Sequence, residues 1–154
     1  MRLVLQRVTR AAVRVGGEVV GEIGPGAVVL AGIAPHDTPG LVDRMADKLL
    51  SLRYFEDAEG RTNLSIADAA GALLVVSQFT LYADVRRGRR PGFADAAGPE
   101  VAEPLVDRFV SRLRASGTSV ATGRFGASME VELVNDGPFT LVLESARDLS
   151  GIDR

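Results

Sequence analysis

Two short segments of the chain place hydroxyl and amide side chains next to an apolar run, where they could serve chemistry. The first is Ser77-Gln78-Phe79-Thr80, and the second is Asn135-Asp136-Gly137-Pro138-Phe139-Thr140. Polar groups at a strand end can face a ligand, because the interior of the strand is committed to ladder hydrogen bonds and core packing. The two segments could therefore converge on one pocket.

The first segment could hydrolyse an acyl ester without a general base. The main-chain amides around Phe79 and Thr80 could stabilise the oxyanion that forms when an ester carbonyl is attacked. Thr80 as a nucleophile would need a base, but the single histidine, His36, has no sequence reason to approach it. The Gly-x-Ser-x-Gly pattern of serine hydrolases does not occur in the sequence. Water is the expected nucleophile, unless Ser77 and Thr80 merely satisfy the backbone at a strand end.

The second segment is, on its own, typical of a turn between two strands. Asn, Asp, Gly and Pro are all favoured in turns, so turn chemistry alone could explain 135–138. The sequence alone does not predict a cis peptide at Gly137-Pro138, because most bonds before proline are trans.

A cluster of arginines follows the first segment. The stretch 83–99 has no apolar periodicity and contains four arginines, two prolines and three glycines, which predicts an extended surface loop. The net charge of −2 argues against a general polyanion binder. A local cluster can still clamp phosphates, or it can be a solvated loop. Its members are Arg86, Arg87, Arg89 and Arg90.

Composition restricts the remaining possibilities. A chain of 154 residues with 46% hydrophobic content is of single-domain size, and we expect a domain over 1–145 with a frayed polar tail over 146–154. Zero cysteines exclude a disulfide framework and a thiolate metal site, and with one histidine we expect no metal and no cofactor. There is no N-terminal leader and no apolar run approaching about 20 residues, so we expect a cytoplasmic protein without a membrane partner.

Apolar patterning predicts the elements that must position these segments. One helix should be capped by Asp37 or Thr38 and extend to Arg53, and a second should end at Gly117, with Pro104 as a kink or as its start. The predicted strands are 2–8, 11–15, 18–23, 27–33, 72–78, 118–122, 128–134 and 139–144. The fold class is therefore α+β, a single domain with a large, mainly antiparallel, barrel-like sheet and two principal helices.

The two polar segments also resemble the signature motifs of the D-aminoacyl-tRNA deacylase family, Ser-Gln-Phe-Thr and Asn-x-Gly-Pro-x-Thr. Five further segments are similar to those of the family in the same order, so the resemblance covers nearly the whole chain. They are Leu5-Gln6-Arg7-Val8, Gly21-Glu22-Ile23-Gly24, Phe55-Glu56-Asp57, Arg86-Arg87-Gly88-Arg89-Arg90-Pro91 and Thr122-Gly123-Arg124-Phe125-Gly126.

The resemblance implies an enzyme that hydrolyses the ester of D-aminoacyl-tRNA, or of glycine mischarged on tRNA(Ala), and that rejects L-aminoacyl-tRNA. It implies a homodimer in which a cis Gly137-Pro138 segment, with Asn135, reaches the active site of the other subunit. The 2'-hydroxyl of the terminal ribose would assist catalysis.

The resemblance also implies roles for individual residues. Ser77, Gln78, Phe79 and Thr80 would be catalytic, and Arg7, Met129 and Arg124 would be supports. The four arginines of the loop would bind the tRNA 3' end. Phe79 and Phe125 could stack on the terminal adenine, although phenylalanine is more often a core residue.

Three other functions are compatible with the residues alone. A non-catalytic RNA-binding module would explain the arginine loop and the missing acid-base groups. A general esterase would need a base beside Ser77 or Thr80 that the sequence does not show. A structural homodimer without substrate would need only the strands.

Overall fold

The computed structural model describes residues 1–150, which form eight strands and three α-helices. A 3-10 helix, Phe79–Tyr82, follows the sixth strand. In chain order the elements are β1 (Arg2–Val15), β2 (Glu18–Ile23), β3 (Gly26–Gly32), α1 (Pro39–Ser51), β4 (Phe55–Glu56), β5 (Thr62–Leu64), β6 (Ala72–Ser77), α2 (Pro99–Ala115), β7 (Ser119–Thr122), β8 (Glu130–Glu144) and α3 (Ser145–Asp148).

Six strands form one sheet in the order β2-β1-β3-β6-β7, with β8 paired to β1. Strand β1 is antiparallel to β2, β3 and β8, whereas β3-β6 and β6-β7 are parallel. The two ends of the sheet come together, because a Cβ atom on Gly21 would lie 2.3 Å from the carbonyl oxygen of Thr122. The sheet is therefore nearly closed, and the predicted α+β fold with a mainly antiparallel, barrel-like sheet is confirmed.

Strand β1 is long enough to pair with two neighbouring strands along one edge. Its first half pairs with β3 and its second half with β2, while β8 follows the opposite edge. The predicted division into two strands, 2–8 and 11–15, was wrong. Thr9 and Arg10 are exposed where the register shifts, so the strand bends there without ending.

Strand β8 likewise replaces the two predicted strands 128–134 and 139–144. Thr140 pairs with Gln6 and Asn135 pairs with Val8, so residues 136–139 bulge out opposite the single residue Arg7. The prediction of a strand-reversing turn over 135–138 was wrong, because both halves of β8 pair with the same strand in the same direction. The result is a polar bulge in the middle of a long strand.

Two helices cover one face of the sheet. Thr38 caps α1 by accepting a hydrogen bond from the N–H of Leu41 at 3.3 Å, and the helix ends at Ser51. Helix α2 begins at Pro99, so Pro104 lies inside it and does not mark its start. It ends before Gly117, whose φ of +88° favours glycine. Paired hydrogen bonds of Arg108 to Asp43 and of Arg112 to Asp47 join the helices.

The apolar residues form two cores, one between the sheet and the helices and one inside the barrel. The barrel core contains Val8, Ala11, Val13, Val28, Leu74 and Val76. Because β6 contributes alternate residues to both cores, its position is fixed on both faces. The segment that follows β6 therefore leaves a rigid strand.

The chain after residue 144 differs from the predicted frayed tail. Residues Ser145–Asp148 form α3, and Leu149 is buried in the main core. Residues 151–154 of the predicted tail lie outside the described residues, and the boundary at 145 stays a prediction. No helix within residues 1–150 is long and apolar enough to span a membrane.

Candidate functional site

A cavity of about 560 Å³ opens at the carboxyl end of β6. Its walls come from the end of β6, the start of α2 and the loop between β7 and β8. The lining residues include Ser77, Gln78, Phe79, Gly98, Phe125 and Met129. Ser77, Gln78 and Phe79 of the first polar segment thus lie in one cavity with Met129, whereas Thr80 is not among the residues that line it.

The first polar segment changes direction abruptly at Gln78. The N–H of Gln78 still donates to the carbonyl of Ala31 at 2.8 Å, which continues the parallel pairing of β6 with β3. The chain then enters the 3-10 helix that begins at Phe79. The first N–H groups of a helix, here those of Phe79 and Thr80, have no acceptor within it and can donate to a ligand.

The hydroxyl of Thr80 is oriented by its neighbour. The side-chain amide of Gln78 donates a hydrogen bond to Oγ1 of Thr80. Because this bond occupies a lone pair of the oxygen, the hydroxyl proton remains free to donate to a carbonyl or to a water molecule. Thr80 is exposed, so a substrate can approach it. His36 is exposed in the turn before α1 and is not among the residues that line the cavity.

The arginine loop is closed at its base by a short bridge. The N–H of Asp84 donates to the carbonyl of Gly92 at 2.7 Å, and the N–H of Gly92 donates to the carbonyl of Asp84 at 2.9 Å. Arg86 is bound to the Asp84 carboxylate through Nε and Nη2, both at 2.8 Å. These hydrogen bonds lower the pKa of Asp84 to about 2. Much of the charge of Arg86 is therefore neutralised locally.

The other three loop arginines differ from Arg86. Arg87, Arg89 and Arg90 are exposed, and within residues 1–150 they make no ion pair. The predicted group of four therefore consists of one arginine that shapes the loop and three that are available to bind phosphates.

The bulge in β8 is held in place by the buried side chain of Arg7, which is only 5% exposed. Its guanidinium donates to the carbonyl of Tyr54 at 2.8 Å and to that of Asp136 at 3.3 Å, and it lies 4.9 Å from the centre of the Phe139 ring. The Asp136 carboxylate is 3.4 Å from Nε. A buried cation with this many acceptors fixes the backbone around it.

Asn135 holds the same bulge from the side. Its side-chain amide donates to the carbonyl of Arg7 at 2.9 Å and to that of Phe139 at 3.0 Å, which closes the base of the bulge. The Gly137-Pro138 peptide at the tip is cis, and Gly137 has a φ of +121°. A Cβ atom on Gly137 would lie 2.8 Å from Nη2 of Arg7, so a larger residue would clash with the guanidinium.

The bulge and the cavity are separate within one chain. Gly137 and Pro138 are not among the residues that line the cavity. Near the bulge, β8 also exposes the apolar residues Val131, Val134 and Val142. The expectation that the bulge reaches the cavity of another subunit stays a prediction.

Met129 shapes the loop that forms one wall of the cavity. Its sulfur accepts a hydrogen bond from the N–H of Arg124 at 3.4 Å, and a Cβ atom on Gly123 would lie 2.5 Å from that sulfur. The lack of a side chain at Gly123 thus leaves space for the Met129 thioether, which packs against the loop that carries Phe125. Within residues 1–150 no group of three or more His, Cys, Asp or Glu side chains could hold a metal ion.

A family model described as D-Tyr-tRNA(Tyr) deacylase matches residues 4–144. The chain belongs to this family. It is 62% identical over 147 residues to D-aminoacyl-tRNA deacylase of Symbiobacterium thermophilum, with 96% of this chain and 97% of the relative covered. It is 58% identical over 146 residues to the protein of the same name from Chloroflexus aurantiacus, with 95% and 91% covered.

Two solved structures have the same fold as this deacylase family member. The c-Myc DNA unwinding element binding protein is 44% identical, with a TM-score of 0.88 over 94% of this chain and 98% of that chain. A probable eukaryotic D-amino acid tRNA deacylase is 21% identical, with a TM-score of 0.80 over 92% and 97%, and supports the fold alone. The resemblance inferred from the sequence motifs is confirmed.

One aromatic residue of the site in this member of the deacylase family, Phe93, was not predicted from the sequence. Phe93 lines the cavity, and its ring centre lies 5.0 Å from that of Phe79. The signal was present, since Phe93 is the only aromatic residue in the polar loop 83–99. The start of α2 was also missed as a wall, because nothing in its sequence distinguishes it from an ordinary helix start.

Proposed function

We propose that the protein hydrolyses the ester bond between a D-amino acid, or a glycine mischarged on tRNA(Ala), and the 3' ribose of tRNA. The observation that carries the proposal is the cavity at the end of β6, which is lined by Ser77, Gln78 and Phe79 of the family-typical motif, with the exposed hydroxyl of Thr80 next to them and bound by Gln78. The site holds hydrogen-bond donors but no histidine, which suits a reaction limited by charge stabilisation. The deacylase domain would comprise residues 1–145, followed by the tail over 146–154.

The reaction adds water across the ester. A water molecule attacks the carbonyl carbon, and the carbonyl oxygen becomes an oxyanion that accepts hydrogen bonds from the amides of Phe79 and Thr80. The Thr80 hydroxyl, held by Gln78, positions the water or the carbonyl, and Ser77 completes the polar wall. When the bond to the 3' oxygen breaks, that oxygen takes up the proton lost by the water. The adjacent 2'-hydroxyl of the ribose can pass this proton, so the protein needs no general base and no cofactor.

Chirality would be enforced by backbone from a second copy of the chain. In this homodimer the Gly137 and Pro138 carbonyls of one subunit accept hydrogen bonds from the substrate ammonium in the other. Packed backbone at the α-carbon leaves space for hydrogen but not for a side chain on one side, which rejects L-aminoacyl groups and admits D-aminoacyl groups and glycine. The support for this role is the bracing of the bulge by Arg7 and Asn135.

The tRNA would be held by charge and by stacking. Arg87, Arg89 and Arg90 would contact phosphates of the 3' end, while Arg86 keeps the loop in shape. Phe79 and Phe125, which both line the cavity, would stack on the terminal adenine. A substrate of this kind belongs to translation, so the protein would act in the cytoplasm.

The test is deacylation of D-Tyr-tRNA and L-Tyr-tRNA by the purified protein in the presence of a chelator. Fast loss of the D-ester alone would support the enzyme, its chirality and its independence of metal. Equal loss of both esters would remove the chirality gate from the proposal. Loss of neither would remove the enzyme.

One competing function has an observation in its favour. The solved relative at 44% identity is named for binding a DNA element, so a non-catalytic nucleic-acid-binding protein is the second candidate. It predicts retention of the tRNA without turnover in the same assay. A general esterase would instead cleave a small chromogenic ester, which the deacylase should leave intact.

A further inference from the structure

Two aromatic rings stand at the rim of the cavity with much of their surface in solvent. Phe79 is 56% exposed and Phe93 is 40% exposed, and both line the cavity. Their ring centres are 5.0 Å apart, with the planes at 70°. Because burying an aromatic ring is strongly favourable, an exposed pair at the mouth of a cavity indicates a surface that a ligand covers.

Phe93 lies between this cavity and the arginine loop. It directly follows Gly92, whose two backbone hydrogen bonds with Asp84 close the loop. The backbone that carries the ring is therefore tied to the base of the arginine loop. On one side the ring contacts Phe79 of the site, and on the other the chain continues into the exposed cations Arg87, Arg89 and Arg90.

We infer that Phe93 is a stacking platform for the base of the penultimate nucleotide of the tRNA. The inference rests on the proposed function, which places the aminoacylated terminal adenosine in the cavity. Since the strand is covalent, the preceding nucleotide must leave the cavity across its rim. An exposed ring beside a cationic loop is the combination that binds unpaired nucleic acid, because rings stack on bases and cations pair with phosphates.

This role differs from the one proposed for Phe79 and Phe125, which would stack on the terminal adenine. Phe93 does not touch the reacting ester, so it should affect substrate binding and leave the chemical step unchanged. Stacking on a ring depends little on which base is present, so the contact should tolerate base changes at the penultimate position. Its loss should appear as a higher KM at an unchanged kcat.

The experiment compares two small substrates with wild-type protein and with Phe93→Ala. One is the D-tyrosyl ester of adenosine, and the other is the same ester on the dinucleotide cytidylyl-adenosine. For the wild type, the added nucleotide should raise kcat/KM about tenfold, the typical effect of one stacked base. In F93A the ratio of kcat/KM between the dinucleotide ester and the adenosine ester should fall to about one, because this ratio isolates the contribution of the added nucleotide.

Two further variants control for loss of apolar surface and for loss of structure. Phe93→Tyr keeps the ring and should keep the gain from the added nucleotide. Val85→Ala removes an exposed side chain from the same loop and should change neither substrate. The variants are compared at equal folded concentration, with the oligomeric mass measured for each.

Each other outcome overturns the inference. An undiminished gain in F93A would mean that the base does not stack on this ring. An equal fall for both substrates would mean that the ring supports the site, and a changed oligomeric mass would mean that it lies in a contact between copies. These results leave the proposed function intact if the wild type cleaves D-Tyr-tRNA. If the wild type leaves D-Tyr-tRNA uncleaved, the proposed function and this inference both fail.

Discussion

Replacement of Asn135 by alanine should lower the stability of the folded protein. The same replacement should also reduce its discrimination between D and L substrates. The side chain donates two hydrogen bonds, to the carbonyls of Arg7 and Phe139, at 2.9 and 3.0 Å. It is partly buried, and alanine can replace neither bond. The variant therefore separates the two walls of the bulge without touching Gly137 or Pro138.

The expected loss of stability follows from the two lost hydrogen bonds. A neutral hydrogen bond contributes about 1 kcal/mol net, so the free energy of unfolding should fall by about 2 kcal/mol. For a chain of this size, that corresponds to a decrease in Tm of roughly 4 to 8 °C. The matched control is Asn63→Ala, since Asn63 is exposed and its hydrogen bonds are long, at 3.3 and 3.4 Å. Its stability should change by less than about 0.5 kcal/mol.

The functional part is measured on purified D-Tyr-tRNA and L-Tyr-tRNA, with spontaneous hydrolysis subtracted. A carbonyl pair displaced by about 1 Å loses much of its hold on the substrate ammonium, so the ratio of D to L rates should fall at least about tenfold. N63A should keep the wild-type ratio. Rates are taken well below the Tm of N135A, so that unfolding does not contribute.

The Tm and the ratio of D to L rates test two separate claims. An unchanged Tm would refute the view that Asn135 braces the bulge. A lowered Tm with an unchanged ratio of rates would confirm the brace and refute the proposed role of the bulge in chirality.

Three other changes test the remaining parts of the structure. Thr80→Val should lower kcat by about 10²-fold if the hydroxyl holds the developing oxyanion, whereas Thr80→Ser should retain most activity; full activity of T80V would leave the main-chain amides as the only donors. Arg87→Ala should reduce the slope of log KM against log salt by about 0.7, the value for one phosphate contact on a single strand. Arg86→Ala should reduce it less, because this arginine is already paired in the loop; equal slopes would contradict that distinction. Gly21→Ala should destabilise the protein by about 1 to 3 kcal/mol in chemical denaturation, since its Cβ would lie 2.3 Å from a carbonyl of β7. Gly40→Ala is the control, because its Cβ would meet nothing within 4 Å, and a lower stability of G40A than of G21A would refute the steric reasoning.

The parts of the fold that depend on local signals could be predicted from the sequence. The N-terminal cap at Thr38 and the end of α2 before Gly117 follow from side-chain hydrogen bonding and from backbone conformation. Strand β6 follows from a continuous apolar run buried on both faces. Each of these signals lies within a few residues of the feature that it predicts.

The long strands could not be predicted in the same way. Asn135-Asp136-Gly137-Pro138 has the composition of a turn, yet its flanks continue along β1 on both sides. What decides between a turn and a bulge is the partner strand, more than a hundred residues away in sequence. The cation that stabilises the bulge, Arg7, lies on that partner strand. Long-range pairing thus overrides the local turn preference.

The candidate site was predictable in its strand-end segment and less so in its surroundings. The end of β6, from which residues 77–80 continue, could be located because a strong strand signal precedes it. The separate role of Arg86 depends on its contact with Asp84, two residues away, which composition alone does not distinguish from the solvated arginines nearby. Phe93 joins the site only because the bridge between Asp84 and Gly92 folds the loop back on itself.

In the proposed mechanism, selectivity depends on the position of backbone atoms. Such atoms are precise only if the backbone that carries them is rigid, because amides and carbonyls cannot be reoriented by a change of rotamer. Both polar segments meet this condition, by different means. The first leaves a strand that is packed on both faces, and the second is tied to β1 by Arg7 and Asn135. Substitutions that loosen either anchor should therefore damage selectivity even where every group proposed to contact the substrate is retained.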